Sequence, residues 1–470
     1  MSAGALHLVH LETSGNQAFI FGTNKLKENV GASEMTYRAG TEAVARAVNH
    51  VFGLSGEDRM PEEAARPDGL AAWLLRQPAI EASARPVEVL LATSGKALLL
   101  VRGEVRAREL VHAWSTHLAV RLPGVDGLGV VSEPFALGSG ETDGSAVAAA
   151  VSETHRRFEV ARALRPSPEA RFSRLPLAAT CEVSGLPAEV LLGREGGPPE
   201  QLSHVSAVKR AHLDGARERF AEIFGESSRY RLPSSLDEML DLWSFDWLGV
   251  VHADGNGLGQ LFLRFESIAR ALAGEAPSLD RAYVDLYREF SVELDRIARE
   301  VFAEVAYEAF GEARKVLPER DRPVHLLPVL PIIVGGDDLT VVCDGHRALP
   351  FVRLYLATLE KRLAGLDRTQ VLTRVLQEHF GVPRFGMAAG VALVKPKFPF
   401  FSAYALAGQL TESAKAVKQH VRSAGEAHPA SALDFHVTFE SSMLDLPSAR
   451  ERLVATRGKA SYRLHGRPYV

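Results

Sequence analysis

Residues Val334 to Cys343 read Val-Gly-Gly-Asp-Asp-Leu-Thr-Val-Val-Cys. An apolar run from Val329 to Val334 enters two glycines, two aspartates follow, and a second β-rich run from Leu339 to Cys343 leaves. That pattern predicts a tight hairpin with two adjacent carboxylates at its tip. Neighbouring side chains on a strand point apart. A glycine turn bends the backbone enough for Asp337 and Asp338 to approach one point. Two anions held there repel, and one stays protonated unless a cation neutralises them. Hard oxygen donors favour Mg2+ or Mn2+, with nucleotide phosphates completing the shell. A solvated hairpin tip without a ligand is the alternative.

A second segment bears on that choice. Residues Trp247 to Gly259 read Trp-Leu-Gly-Val-Val-His-Ala-Asp-Gly-Asn-Gly-Leu-Gly. An apolar strand again runs into an acidic residue, Asp254, and a Gly-rich loop with Gly255, Asn256 and Gly257 follows. A helical pattern begins at Gln260, so the loop backbone and the helix start together suit a phosphate. An ordinary strand-to-helix turn is the other reading, because Gly255, Gly257 and Gly259 do not follow the G-x-G-x-x-G spacing. The expected order is strand 247–253, helix 260–274, hairpin around 335–338, helix 347–364, strand 385–394, helix 402–420 and strand 433–439. That is an α+β class with a β-α-β-β-α-β, ferredoxin-like palm and an extra helix. In this topology the first strand lies beside the central hairpin. Asp254, Asp337 and Asp338 then face one site, the metal site of a nucleotidyl transferase. One metal lowers the pKa of a 3′-hydroxyl and a second holds the triphosphate.

The chain also echoes itself. Ser14 to Phe21 resembles Asp254 to Phe262, and Val89 to Val101 resembles the hairpin at 329–342. In this alignment Ser14 stands where Asp254 stands, and Thr93 to Lys96 replace the Gly-Gly-Asp-Asp tip. The first copy is expected to have lost its carboxylates and to be structural. Lys96 reads as a solvated loop lysine, with a phosphate contact as the alternative. His252 reads as a packing histidine, and Asp434 and His436 as parts of an exposed strand face.

At 470 residues the chain is long enough for two to three domains. A net charge of −4 gives no global attraction to nucleic acid. No apolar run of about eighteen residues and no signal-peptide pattern is present, so no membrane partner is expected. Two cysteines, Cys181 and Cys343, do not make a disulfide framework and fit a reducing cytoplasm.

Several stretches resemble the large polymerase–cyclase subunit of type III CRISPR effector complexes, a protein with two palms related to GGDEF-type diguanylate cyclases. Besides the aspartate segments these are Phe385 to Phe400, Tyr404 to Lys418, Leu433 to Val437, Arg467 to Tyr469, Glu12 to Phe21 and Asn24 to Ser33. The resemblance implies residues 1–160 as a degenerate N-terminal palm, 161–235 as a linker, and 236–470 as a C-terminal palm with a helical insertion at about 275–320. Within the linker, Thr180 to Ala188 resembles half of the family's zinc ribbon. Ser184 stands where a second cysteine is expected and no later C-x-x-C exists, so this ribbon is read as metal-free. The family's basic residues face a triphosphate, which assigns that role to Lys415 and Lys395, with Lys418 beside them.

The resemblance further implies an oligonucleotide cyclase in antiviral signalling, with ATP as substrate and two Mg2+ or Mn2+ ions on Asp254, Asp337 and Asp338. Gly255, Asn256, Gly257, Gly335 and Gly336 would approach the nucleotide. Expected partners are nucleoside triphosphates, RNA or CRISPR-type subunits, and a second copy of the chain as a homodimer. No His-Asp dipeptide of the family's nuclease is seen, and its C-terminal helical domain is not seen either, so a stand-alone form is expected. A catalytically silent scaffold subunit of a CRISPR-type ribonucleoprotein is the alternative.

Overall fold

The structure, a computed structural model, describes residues 5–63, 66–82, 85–138, 144–166, 177–194, 197–225, 230–233, 235–318, 323–417, 430–439, 446–458, 460–463 and 466–470. The chain is mixed α and β. Its elements run β1 (Leu6–Ser14), α1 (Asn16–Phe21), α2 (Leu26–Gly40), α3 (Glu42–Phe52), α4 (Pro67–Arg76), β2 (Val87–Thr93), β3 (Lys96–Arg102), α5 (Glu104–Arg121), β4 (Asp126–Val131), α6 (Ala146–Leu164), β5 (Val190–Arg194), β6 (Gly197–Leu202), α7 (His204–Ala211) and α8 (Leu213–Glu222). They continue with β7 (Tyr230–Arg231), α9 (Leu236–Trp243), β8 (Leu248–Gly255), α10 (Leu258–Leu263), α11 (Phe265–Leu272), α12 (Leu279–Phe310), β9 (Lys315–Leu317), β10 (Val324–Leu326), β11 (Val329–Gly335) and β12 (Asp338–Asp344). Then follow α13 (Gly345–Ala364), α14 (Val371–Phe380), β13 (Met387–Val394), α15 (Phe400–Lys415), β14 (Ala432–Val437), α16 (Leu446–Glu451), β15 (Val454–Arg457) and β16 (Ala460–Arg463).

Two compact units form: Met1–Arg219 with Leu263–Val292, and Phe220–Phe262 with Glu293–Val470. This division differs from the expected linker at 161–235. Residues up to Arg219 belong to the first unit, and the chain returns to that unit through α11 and the start of α12. A buried ion cluster is one of the ties that join this returning segment to the rest of the unit. Glu88 of β2 is fully buried. Arg281 Nη2 lies 2.8 Å from its Oε1, and Arg288 binds the same oxygen. Burial alone would raise the Glu88 carboxyl, but the two arginines outweigh it and hold it below the usual value.

In the first unit the sheet order is β2-β3-β1-β4, antiparallel throughout. One face packs an apolar core that includes Val9, Leu11, Met35, Val48, Leu99 and Trp114. The other face of β1 lies under α6.

In the second unit the order is β11-β12-β8-β13-β14. The neighbours β11–β12, β12–β8 and β8–β13 are antiparallel, and β14 is parallel to β13. Alternation along β8 sends Gly249, Val251 and Ala253 to one face and Val250, His252 and Asp254 to the other. A side chain at Gly249 would run into Ala348 of α13, whereas Lys415 of α15 reaches Asp254. The sheet is thus a layer between α13 and α15. The expected strands and hairpin appear within a few residues of their sequence positions. The helix expected at 260–274 is broken at Arg264 into α10 and α11. Residues 418–420 of the expected helix 402–420, including Lys418, lie outside the described residues.

The seat of α15 is a run of small residues. Met387–Val394 reads Met-Ala-Ala-Gly-Val-Ala-Leu-Val, and a Cβ built on Gly390 would stand 2.1 Å from the carbonyl oxygen of Ala407. Only a glycine lets the helix lie that close. We expect Gly390→Ala to cost about 1–3 kcal/mol, the usual range for overpacking. Urea unfolding that shows no loss would mean that this approach does not set the position of α15.

Candidate active site

The hairpin expected from the Gly-Gly-Asp-Asp run is β11–β12. Gly335 pairs with Asp338, leaving Gly336 and Asp337 as a two-residue turn. Gly336 takes a φ of +57°, a conformation that a hairpin turn requires at its first central position and that glycine adopts without strain. The ladder then fixes the rest. Asp338 lies directly opposite Asp254, because β12 pairs antiparallel with β8, and Ala388 of β13 flanks Asp254 on the other side. Opposite residues share a face, and the Asp338 carboxyl hydrogen-bonds that of Asp254. The Asp337 carbonyl accepts the Gly255 N–H at 3.0 Å, which ties the turn to the end of β8.

The three carboxyls thus lie in one neighbourhood, though not with one oxygen of each within 4.8 Å of the others, and their electrostatics show it. Burial, and then the charge of Asp254, raise the Asp337 carboxyl to about 6. Asp338 is exposed by accessible surface, yet the protein atoms crowding its carboxyl are those of an interior group. The repulsion from Asp337 and Asp254 acts in either environment and pushes its carboxyl well above the usual value. One cation is already present. Lys415 Nζ lies 2.7 Å from Asp254 Oδ2 and 3.0 Å from Glu412 Oε1. Burial opposes its charge, but these partners outweigh burial and raise the ammonium pKa.

The neighbouring residues hold this frame. Asn256 is buried, its N–H bonds the Gly386 carbonyl at 2.8 Å, and its Nδ2 donates to the Ala430 carbonyl at 3.2 Å. A Cβ on Gly255 would stand 2.7 Å from that of Asp337, and one on Gly257 3.0 Å from Phe380. His252 pairs its Nδ1 with Thr340 Oγ1 at 3.0 Å; burial lowers its pKa, and Asp254 acts against that.

Two residues that the sequence did not single out also stand here. The Tyr404 ring meets His252 edge-on at 5.6 Å, and burial followed by Asp338 pushes its phenol up. A Cβ on Gly335 would come within 2.7 Å of Asp295 Oδ1 from α12. Neither residue carries a local motif, so only the tertiary fold reveals them.

Other expectations are corrected. Lys395 is not at this site. It follows Val394, which pairs with Leu248, while Asp254 pairs with Ala388; the two ends are about 20 Å apart at a strand rise of about 3.3 Å. Its Nζ instead sits 3.9 Å over the Trp247 ring and 3.2 Å from the Asp246 carbonyl. Asp434 is fully buried and paired with Arg450, so it does not lie on an exposed face.

Nor is Ser14 the counterpart of Asp254. Lys96 closes the β2–β3 hairpin opposite Thr93, as Asp338 closes its own opposite Gly335. Glu12 pairs with Lys96 as Asp254 pairs with Asp338. The first unit thus keeps one carboxylate, at Glu12. Lys96 is not a solvated loop lysine, since its Nζ is 3.0 Å from Glu12 Oε2. Burial works against the Glu12 charge, but His10 and Lys96 bring its carboxyl down to about 2. Burial and Lys96 bring the His155 ring to about 4.

The ribbon-like segment has a second half that a search for cysteines passes over. Cys181 Sγ is 3.7 Å from Ser206 Oγ, and Ser184 Oγ is 3.1 Å from Ser203 Oγ. The spacing Ser203–Ser206 repeats that of Cys181–Ser184. One thiol and three hydroxyls do not fit zinc, which takes thiolate and imidazole donors. Hydrogen bonds close the loops instead.

Oxygen donors from Asp254, Asp337 and Asp338 do fit Mg2+ or Mn2+. The raised carboxyls of Asp337 and Asp338 are the mark of a site that a cation would relieve.

No protein-family model matches the chain, and no curated protein matches it. Three similar solved structures are the Csm1–Csm4 cassette in complex with cA4 (TM-score 0.45), the apo Csm1–Csm4 cassette (0.46) and Csm1 in T. onnurineus (0.43), each at 14% identity. The matches cover 88% of this chain and 53%, 53% and 52% of those chains, so the chain spans about half the length of the structures it matches.

A carboxyl with a raised folded-state pKa favours the folded state below its unfolded value, and that contribution is lost as pH rises through the folded one. For Asp337 the window runs from the usual 3.8 to about 6. We expect Asp337→Asn to raise the Tm of the metal-free protein at pH 7.5, with the gain shrinking toward pH 4. An equal gain at both values would show that repulsion is not its source.

Proposed function

We propose that the chain is a nucleotidyl transferase that makes cyclic or linear oligonucleotides, with ATP as substrate. The observation that carries this reading is the placing of Asp254 opposite Asp338 with Asp337 in the adjoining turn, near enough to repel and to raise the carboxyls of Asp337 and Asp338. A structural role offers no return for that repulsion, whereas a divalent ion relieves it. Bound there, Mg2+ or Mn2+ would lower the pKa of an attacking 3′-hydroxyl and hold the triphosphate. The protein's own part is to fix the donors. Asp254 and Asp338 present oxygens from adjacent strands, Asp337 adds one from the turn, and Lys415 supplies positive charge from α15 to the phosphates. The backbone at Gly255, Asn256, Gly257, Gly335 and Gly336 is the part we read as approached by the nucleotide, with open space where a side chain on Gly336 would stand.

The wider reading follows from the same motifs. We read the two sheets as two ferredoxin-like palms, since both place the first strand beside the third and the second at the edge. The type III CRISPR resemblance of the sequence assigns the chain to antiviral signalling in the cytoplasm, with CRISPR-type subunits as partners.

Incubation of purified protein with ATP and Mn2+, with products resolved by mass, tests the reaction. Asp337→Asn combined with Asp338→Asn should abolish product while the protein stays folded. Product from the double variant equal to that of the parent would sink the metal-site claim. A parent that binds ATP and Mn2+ but makes no product, alone or with RNA, would favour a silent scaffold.

The two lysines separate in a second experiment. Lys415→Ala should lower kcat/KM for ATP by about tenfold or more, equivalent to about 1.4 kcal/mol in the barrier. Lys395→Ala should leave kcat/KM within about threefold, because its ammonium sits at the far end of β13. The reverse ranking would mean that the sheet end carrying Lys395 binds the nucleotide.

A further inference from the structure

The first unit holds a donor cluster that the reaction above does not use. Alternation along β1 puts His10 and Glu12 on the face that α6 covers. His155 of α6 brings its ring centroid 4.7 Å from that of His10, and Phe158 stacks on His10 at 5.2 Å. One donor atom from each of His10, Glu12 and His155 lies within 4.8 Å of the others, and no other group of three His, Cys, Asp or Glu does so among the described residues. His10 is fully buried. Its Nε2 is 2.6 Å from Glu12 Oε2, and its Nδ1 has no hydrogen-bond partner among the described residues. Lys96 reaches in from the hairpin, with Nζ 3.0 Å from Glu12 Oε2 and 3.0 Å from His155 Nε2. A cation therefore already sits among two imidazoles and a carboxylate.

We propose that His10, Glu12 and His155 form a second cation site, for a transition ion such as Zn2+ or Co2+, and that Lys96 competes with the metal for these donors. The donor set decides the ion. Two imidazoles with one carboxylate suit Zn2+ and its neighbours, whereas Mg2+ takes oxygen ligands. Strand and helix supply the ligands, so the geometry is held by packed elements rather than by a loop. Lys96 is the group that a metal would displace. Its side chain is 22% exposed at a hairpin end, so its ammonium can turn to solvent about its own torsions and give up its place to the metal. A bound ion would pin α6 to β1 more firmly than the single ammonium does.

Zinc titration by calorimetry and cobalt absorption test this on the full chain carrying Asp337→Asn and Asp338→Asn, which removes the competing oxygen donors of the second unit. One Zn2+ per chain is expected, with cobalt bands of a site containing imidazole nitrogen. Lys96→Met in the same background should tighten binding by about tenfold or more, and His155→Gln should weaken it by about tenfold or more. If His155→Gln does not melt cooperatively without metal, Glu12→Gln carries the same expectation. No zinc binding by the chain that retains Lys96, or binding indifferent to His155→Gln or Glu12→Gln, overturns the site. Equal affinity with and without Lys96 overturns the competition.

Discussion

One ladder places the two facing carboxylates of the candidate active site. β8 is held between β12 and β13, and its register sets Asp254 opposite Asp338. A slip of one residue would send Asp254 to the face of α13 and remove it from the reach of Lys415. The register is in turn fixed by packing. Val251 and Ala253 are buried toward α13, and the small residues of β13 let α15 close on the opposite face. The chemistry at the strand ends therefore rests on apolar contacts along the whole length of β8.

The same ladder explains how the two units differ. Both bring a carboxylate from the first strand opposite the last residue of a hairpin turn. In the second unit that partner is Asp338, and the positive charge comes from α15 through Lys415. In the first unit the partner is Lys96, and α6 contributes the imidazole of His155. The cation has moved from helix to hairpin, and the hairpin carboxylates are gone. Two like charges about 4 Å apart repel by about 4 kcal/mol at the effective dielectric of a protein. An Asp-to-Lys exchange at that position turns this repulsion into attraction. The first unit is thus self-neutralised, whereas in the second two carboxyls with raised pKa values stand beside the lysine-paired Asp254.

Much of the second unit was legible in the sequence, because its signals are local. Gly336 is required by the turn, Asp337 and Asp338 are contiguous with it, and apolar runs mark β8, β11 and β12. What could not be read depends on register or on distant partners. The echo of Ser14-Gly-Asn with Asp254-Gly-Asn aligned the loops, whereas strand pairing aligns Glu12 with Asp254 two residues earlier. Lys395 looked suitable by its charge, but strand direction carries it away from Asp254. The return of α11 and the start of α12 to the first unit is tied by partners far apart in sequence, among them Glu88 with Arg281 and Arg288 and Asp280 with Ser145. Serines at 203 and 206 hid the second half of the ribbon-like segment.

Lys415 links the electrostatics to function. Its ammonium binds Asp254 in the metal-free protein, on the face that a divalent ion would need. On the proposed reading, metal binding would release that contact, and the released lysine would gain in a triphosphate a stronger anion than a single carboxylate. Loss of the Asp254–Lys415 pair costs little by itself, since both side chains are more than a quarter exposed. On the same reading the larger gain would come from relieving Asp337 and Asp338, whose carboxyls stay raised despite the lysine. Lys415 thus neutralises Asp254 alone, and on the proposed reading metal with nucleotide together would satisfy the carboxyls and the lysine.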